Sequence, residues 1–215
     1  MPQNLNYSKV FFFVLLLNLP LVICAQNEST KRFNLGYCLG PVSSQMSGDG
    51  LSGFDKFGGT AGLSLRANIS ERSDLLLGMG FISKGSRAPL DTLTRNVFAY
   101  RLNYIQIPVT WQIHWNERIN VHLSPYAAYL MHQSVMANKY TYSVSEYGGQ
   151  PAFNDWDFGI NAGIGFVLSD KSSLVFEYGQ SIVPIRPNPS QANQFSYYER
   201  GNYNSTVALM LLHYF

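Results

Sequence analysis

The chain has 215 residues, of which only 13% are charged, and its formal net charge is +2. Soluble proteins carry about 25% charged residues, so the composition argues against an ordinary water-facing surface, and the small net charge argues against a nucleic-acid-binding surface. Fourteen Tyr, fourteen Phe and eighteen Gly indicate aromatic-rich strands with close backbone approaches.

The first 25 residues have the pattern of a secretory signal peptide. Lys9 supplies positive charge, and residues 10–23 form an apolar run that is short for a membrane helix, which needs about 20 residues. We expect cleavage after Ala25, which leaves 26–215 as one domain. The alternatives are acylation at Cys24, although Ile23 is bulky for that site, and an uncleaved anchor. Because Cys38 is then the remaining cysteine, we expect no intramolecular disulfide.

Eight later segments alternate apolar residues with small or polar residues, which is the pattern of β-strands. The alternation is clearest in 104–115 and 156–168 and less regular in 33–40, 58–69, 75–83, 119–131, 172–182 and 203–215. No apolar run after the signal is long enough for a membrane helix, and only helices and closed barrels satisfy all backbone polar groups in lipid. The sequence predicts an all-β fold, an eight-stranded antiparallel up-and-down transmembrane β-barrel.

The connections between these segments alternate between long and short. The long ones cover 41–57, 84–99, 132–153 and 183–202, and tight turns begin at Ser70, Asn116 and Ser169. Outer-membrane barrels have short periplasmic turns and long outer loops. We therefore expect the protein to lie in the bacterial cell outer membrane, with both termini on the periplasmic side. A soluble lipocalin-like carrier is the alternative, but it would place the apolar faces inside and charged residues outside.

Four stretches carry a resemblance to a known family. They are YIQIPVTWQIHW from Tyr104, DFGINAGIGF from Asp157, LVFEYGQS from Leu174 and the terminal LMLLHYF. Together they resemble the PorT-like outer-membrane β-barrel family of small, eight-stranded, OmpA-like barrels. The resemblance implies outer-membrane location and this architecture. Some members are accessory parts of a protein-secretion system, so it also implies protein export as a possible setting.

If the apolar faces meet lipid, the opposite faces fill a narrow interior with small and polar side chains. The inward polar residues are then Arg66, His114, His122, Asp157 and Glu177. Buried charges need partners, so we predict a network that joins Arg66 to Glu177 directly or through His122 or water. Ser124 shares a face with His122 and could form a nucleophile and base pair, but both are expected to point inward and away from lipid.

Aromatic residues are predicted on the outer face and in the loops. Lipid contact or an interfacial girdle is expected for Trp111, Trp115, Trp156, Phe158 and Phe166. We expect Phe215 to be recognised by the barrel-assembly machinery during biogenesis. The outer-loop residues expected to contact a partner are Tyr140, Tyr142, Tyr147, Tyr197 and Tyr198.

Prolines inside predicted strands should disturb the hydrogen-bonded ladder. Pro108 lies in the middle of a strand, where it removes an N–H donor, and a closed barrel has no free edge to receive it. We therefore predict a bulge or a missing ladder bond at Pro108, and the same effect at Pro125 one strand later.

These patterns favour a non-enzymatic outer-membrane barrel that is a scaffold, a surface-contact protein or an accessory of protein export. No metal-ligand spacing and no nucleotide-binding or nucleophile motif occurs in the sequence, so we predict no cofactor and no metal. The alternative functions are an enzyme acting on lipid or lipopolysaccharide, and a soluble carrier. The expected partners are outer-membrane lipid and lipopolysaccharide, the assembly machinery and a protein at the outer loops or periplasmic rim, but no nucleic acid.

Overall fold

The computed structural model describes residues 33–49, 51, 53–88, 98–137, 140–142, 152–187 and 201–215. The predicted signal peptide lies outside the described residues, as do Tyr147, Tyr197 and Tyr198. No helix in the described ranges has the length and hydropathy needed to cross a membrane.

Eight long strands form the structure, with two short strands attached at one end. In chain order the elements are β1 (Phe33–Ser47), β2 (Lys56–Ser70), β3 (Ser73–Arg87), β4 (Phe98–His114), β5 (Ile119–Ala137), β6 (Tyr140–Tyr142), β7 (Trp156–Ser169), β8 (Ser172–Ser181), β9 (Arg186–Pro187) and β10 (Gly201–Tyr214). The long strands are antiparallel to their neighbours, and β1 pairs with β10 to close the ring. The predicted eight-stranded antiparallel barrel is confirmed.

Most of the strands extend further toward the long loops than the sequence pattern predicts. β1 continues through Pro41 to Ser47, and β3 continues through Lys84 to Arg87, although Pro41 and Lys84 were predicted to open loops. The prediction was wrong there because the extensions carry polar residues on their outer faces. They therefore lack the apolar alternation that identified the strands. We call the two ends of the barrel the long-loop end and the short-turn end.

Three prolines interrupt the ladders between neighbouring strands. Between β3 and β4, pairing stops at Leu77 and Val109 and resumes at Gly80 and Gln106 in the same register. Pro108 lies in this gap, so the predicted loss of ladder pairing is confirmed, without a bulge at that point.

Pro125 and Pro41 have comparable gaps. The β4 to β5 ladder omits the pairs between Pro108–Tyr126 and Trp111–Leu123, which leaves Pro125 unpaired on that side. The β1 to β10 ladder omits the pairs beside Pro41. Each proline thus interrupts the ladder on one side only, as expected when a single N–H is removed. The register shift within β4 and β5 lies instead between Asn103 and Tyr104.

The interior of the long-loop half holds an apolar cluster beside its polar side chains, which corrects the expectation of a filling of small and polar side chains alone. Buried hydrophobic residues from the strands cluster there with Phe153 and Ile185, which belong to the connections before β7 and after β8. These connections are held to the strands and to each other by backbone hydrogen bonds, including Leu130 N to Asp155 O (2.7 Å) and Asn154 N to Ile185 O (2.7 Å). The long-loop end is therefore filled by chain that the sequence pattern assigns to loops.

Candidate functional site

A buried ion pair lies inside the long-loop half of the barrel. Lys84 Nζ is 3.1 Å from Asp157 Oδ2, and the side chains are only 1% and 0% exposed. Ser181 Oγ donates to Asp157 Oδ1 (2.6 Å) and Asn204 Nδ2 donates to Oδ2 (3.0 Å). The Lys84 ammonium also lies 4.2 Å from the centroid of the Tyr126 ring. These contacts offset the cost of burying both charges, and we call these five residues the loop-end network.

Of the five residues of the loop-end network, Asp157 was predicted as an inward polar residue and the other four were not. Asp157 was predicted to point inward, whereas Lys84 was assigned to a loop. A signal was available: Lys84 continues the inward-facing series of Leu76 and Ile82 at even spacing along β3, and all three are buried.

A second polar contact lies near the middle of the barrel. His122 Nε2 is 3.0 Å from Glu177 Oε2, and Asn161 Nδ2 donates to Glu177 Oε1 (3.0 Å). These three residues and Gln106 line an interior cavity of about 100 Å³. The cavity has one polar wall and one largely apolar wall, and a single water needs only about 10–15 Å³. We call it the central chamber.

A third group lies at the short-turn end. His114 Nε2 is 2.8 Å from Asp74 Oδ2, and Asp74 is buried. The Arg66 guanidinium carbon lies 4.1 Å from the centroid of the Tyr214 ring. This is a cation–π contact, in which the face of the ring attracts the positive charge.

The direct contact predicted between Arg66 and Glu177 is absent among the described residues, whereas the predicted link between His122 and Glu177 is present. Glu177 bonds to His122 and Asn161, while Arg66 Nε has no hydrogen-bond partner among the described residues. Arg66 lies close to the short-turn end of β2, and Glu177 lies in the middle of β8. The two side chains face the same interior but at different heights.

The structure does not bring Ser124 and His122 together as a nucleophile and its base. Ser124 Oγ donates to Thr110 Oγ1 (2.7 Å), and His122 Nε2 faces Glu177. No group of three or more His, Cys, Asp or Glu residues in the described part of the chain is arranged to hold a metal ion.

The outer wall carries a continuous band of large exposed apolar side chains, and the predicted aromatic residues lie within it. Trp156 packs edge-on against Tyr129 and stacks on Phe158 near the long-loop end. The other predicted aromatic residues are exposed toward the short-turn end; they are Trp111, Trp115 and Phe166. An apolar surface of this extent is incompatible with a soluble monomer, and it matches the lipid-facing band of a membrane barrel.

The remaining predicted residues lie at the two ends. Tyr140 and Tyr142 belong to β6, which pairs with β5 and extends the wall at the long-loop end; Tyr140 is 68% exposed. Phe215 is exposed at the short-turn end, where its backbone N donates to Leu35 O (3.0 Å) and its ring lies 6.0 Å from that of Tyr37.

A closed antiparallel barrel with an apolar outer band and an interior filled in its long-loop half has the architecture of an outer-membrane β-barrel protein. A family model described as "Outer membrane protein beta-barrel domain" matches residues 24–185, and the chain belongs to this family. Its location is accordingly the bacterial outer membrane. This membership replaces the alternative of a soluble lipocalin-like carrier, while the narrower PorT-like assignment stays a prediction.

Three solved structures are similar to this chain at low sequence identity. Ail, the attachment invasion locus protein of Yersinia pestis, is 11% identical, with 85% of this chain and 98% of that chain covered and a TM-score of 0.50. Neisserial surface protein A is 9% identical, with 85% and 97% covered and a TM-score of 0.47. OprG from Pseudomonas aeruginosa is 10% identical, with 85% and 94% covered and a TM-score of 0.39. A comparison with curated protein sequences finds no match.

Proposed function

We propose that this protein is a non-enzymatic outer-membrane barrel that serves as a rigid scaffold and meets a protein partner through its long-loop end. The observation that carries the proposal is the filled interior. The loop-end network and the apolar cluster with Phe153 and Ile185 occupy the long-loop half. An eight-stranded barrel is just wide enough for such a filling, so the accessible surfaces are the two ends.

The long-loop end offers more surface for a protein contact than the short-turn end. Its strands continue beyond the apolar band, and β6 adds the exposed tyrosines Tyr140 and Tyr142. Tyrosine provides large contact area and a hydrogen-bonding hydroxyl at low entropic cost. Long loops face the exterior in barrels of this kind, so the partner is expected outside the cell. The PorT-like resemblance favours a component of an export system.

Site-specific photo-crosslinking in intact cells tests the proposal. A photoreactive residue at Tyr140 is expected to give a discrete protein adduct, because Tyr140 is exposed on a strand that pairs with β5 at the long-loop end. The matched control is Glu117, which is exposed in a tight turn at the other end and is expected to give none.

Two results would contradict the proposal. Adducts from Glu117 alone would show that the partner contacts the short-turn end instead. If neither position gave an adduct, the proposal of a protein partner would lose its support. Both variants must first run as folded barrels on an unheated gel, so that a failure to fold is not mistaken for a lost contact.

A further inference from the structure

A pocket opens on the barrel wall at the long-loop end, where the ladder between two strands ends. Pairing between β2 and β3 ends at Thr60 and Ile82. Beyond that point β2 continues along β1 to Lys56, and β3 continues along β4 to Arg87. The cavity there, of about 360 Å³, is lined mainly by residues on the outer faces of their strands, the faces opposite to that of Lys84.

The pocket is lined by three basic residues, Lys56, Arg87 and Arg101, and no Asp or Glu is among the described residues that line it. Lys56 is only 6% exposed, and its ammonium donates to two neutral acceptors, Phe57 O (3.2 Å) and Ser83 Oγ (3.1 Å). An ammonium has three donors, so one remains for an incoming group.

None of the three cations has a carboxylate partner in the described part of the chain. The ion pairs found there are Lys84–Asp157, His114–Asp74 and His122–Glu177. The Arg101 side chain contacts Met136 Sδ, at 3.8 Å. Burying an ammonium beside two guanidinium groups is costly without an anion, so the pocket is built to receive negative charge from outside the chain.

The position of the pocket indicates what carries that charge. Ser83 and Asn103 line it, and the residues two positions nearer the middle of the membrane on the same outer faces are Phe81 and Ile105. Phe57, at the pocket edge, is 73% exposed. The cations thus lie directly beyond the apolar band, at the level of lipid headgroups, and guanidinium groups bind phosphate oxygens in a bidentate manner.

We propose that Lys56, Arg87 and Arg101 bind the phosphate group of a membrane-lipid headgroup, whose acyl chains lie along the apolar band. The inference requires only the membrane location, and it stands or falls separately from the scaffold role proposed above.

Native mass spectrometry of the detergent-solubilised full chain tests this site. The probes are phosphatidic acid, diacylglycerol with the same acyl chains, and inorganic phosphate. Phosphatidic acid is expected to stay bound, while diacylglycerol, which lacks the phosphate, and inorganic phosphate, which lacks the chains, bind about tenfold or more weakly.

A matched pair of double variants assigns the binding to the pocket. Arg87→Ala/Arg101→Ala is expected to weaken phosphatidic acid binding by about tenfold or more. Arg72→Ala/Arg118→Ala removes the same charge from exposed turns at the other end and is expected to leave binding unchanged. Binding of phosphatidic acid to Lys56→Met tests the third basic residue of the pocket separately. An unheated gel confirms that each variant is folded.

Three results would overturn the proposal. Equal retention of diacylglycerol would mean that the phosphate is not recognised. Equal affinity for inorganic phosphate would make the site a general anion site rather than a lipid site. Equal loss of binding in Arg72→Ala/Arg118→Ala would reduce the effect to net charge. Success or failure of the Tyr140 crosslinking bears on none of these outcomes.

Discussion

At the scale of single residues, the loop-end network shows how an ion pair is kept inside this barrel. Asp157 accepts hydrogen bonds from Ser181 and Asn204 in addition to Lys84, so its carboxylate would keep two donors if the lysine were removed. Lys84 has no second carboxylate within ion-pair distance among the described residues, and the Tyr126 ring is its other contact described above. Removing Asp157 therefore leaves Lys84 without a charged partner, whereas removing Lys84 leaves Asp157 with two hydrogen-bond donors.

We expect Asp157→Asn to destabilise the barrel by about 3–5 kcal/mol and Lys84→Met by less, because Asn leaves an uncompensated buried ammonium. The double variant Lys84→Met/Asp157→Asn should lose less stability than the sum of the two, since it buries no charge. Urea unfolding in lipid vesicles, followed by tryptophan fluorescence, measures all four proteins. Additive losses would show that the two charges do not interact.

The same scale shows where prediction from sequence stops. Side chains alternate between the two faces of a strand, and this alternation, which we call parity, was enough to place Asp157 and Glu177 inside. Parity could not show that Glu177 meets His122 rather than Arg66. Which inward residues meet depends on strand tilt and stagger around the whole barrel, and no local pattern encodes these.

At the scale of elements, the strand prolines have to be accommodated by their neighbours. Gly78 lies across from Pro108 in the gap of the β3 to β4 ladder, and a Cβ at Gly78 would lie 2.8 Å from Pro108 Cγ and 3.2 Å from Cδ. The proline ring cannot rotate away. A residue without a side chain at position 78 is therefore required by the ring in the next strand.

We expect Gly78→Ala to destabilise the barrel by about 1–3 kcal/mol through overpacking, measured by the same urea unfolding. Gly59→Ala is the matched control in the adjacent strand, because a Cβ there meets only Gly40 O at 3.6 Å. Adding Pro108→Ala to Gly78→Ala should recover stability by removing the ring. No recovery would mean that the alanine acts through another contact.

The sequence pattern located the eight long strands but did not give their lengths. The apolar alternation ends where the apolar band ends, so it could not report the extensions of β1 and β3 to Ser47 and Arg87. Phe153 and Ile185 were likewise read as loop residues. Their burial depends on backbone hydrogen bonds between two connections that are distant in the chain, a long-range contact without a periodic signature.

At the scale of the whole molecule, the filling of the interior predicts a barrel that does not conduct. Purified protein in planar bilayers is expected to show no large, stable conductance, with a general porin as the positive control. Lys84→Met/Asp157→Asn should also stay closed, because side chains of similar size still fill the space beside the apolar cluster. The seal is thus expected to be steric rather than ionic.

Stable conductance of the unaltered protein would contradict the filled interior and, with it, the argument for the scaffold role. Conductance in Lys84→Met/Asp157→Asn alone would instead assign the seal to the ion pair. Both outcomes are read from the same single-channel recordings, with the folded state checked beforehand by unheated gel mobility.

The interrupted ladder at Pro41 has a consequence for how the barrel forms. It lies in the seam between β1 and β10, the one junction of the ring whose strands are not joined by a local connection. Closing that seam brings together β1 and β10, which are farther apart in the chain than any other two paired strands described, so it carries the largest entropy of loop closure among these strand pairs. The other two junctions interrupted by a proline also have a local connection between their strands, whereas this seam has none, so we expect the finished ring to open there first.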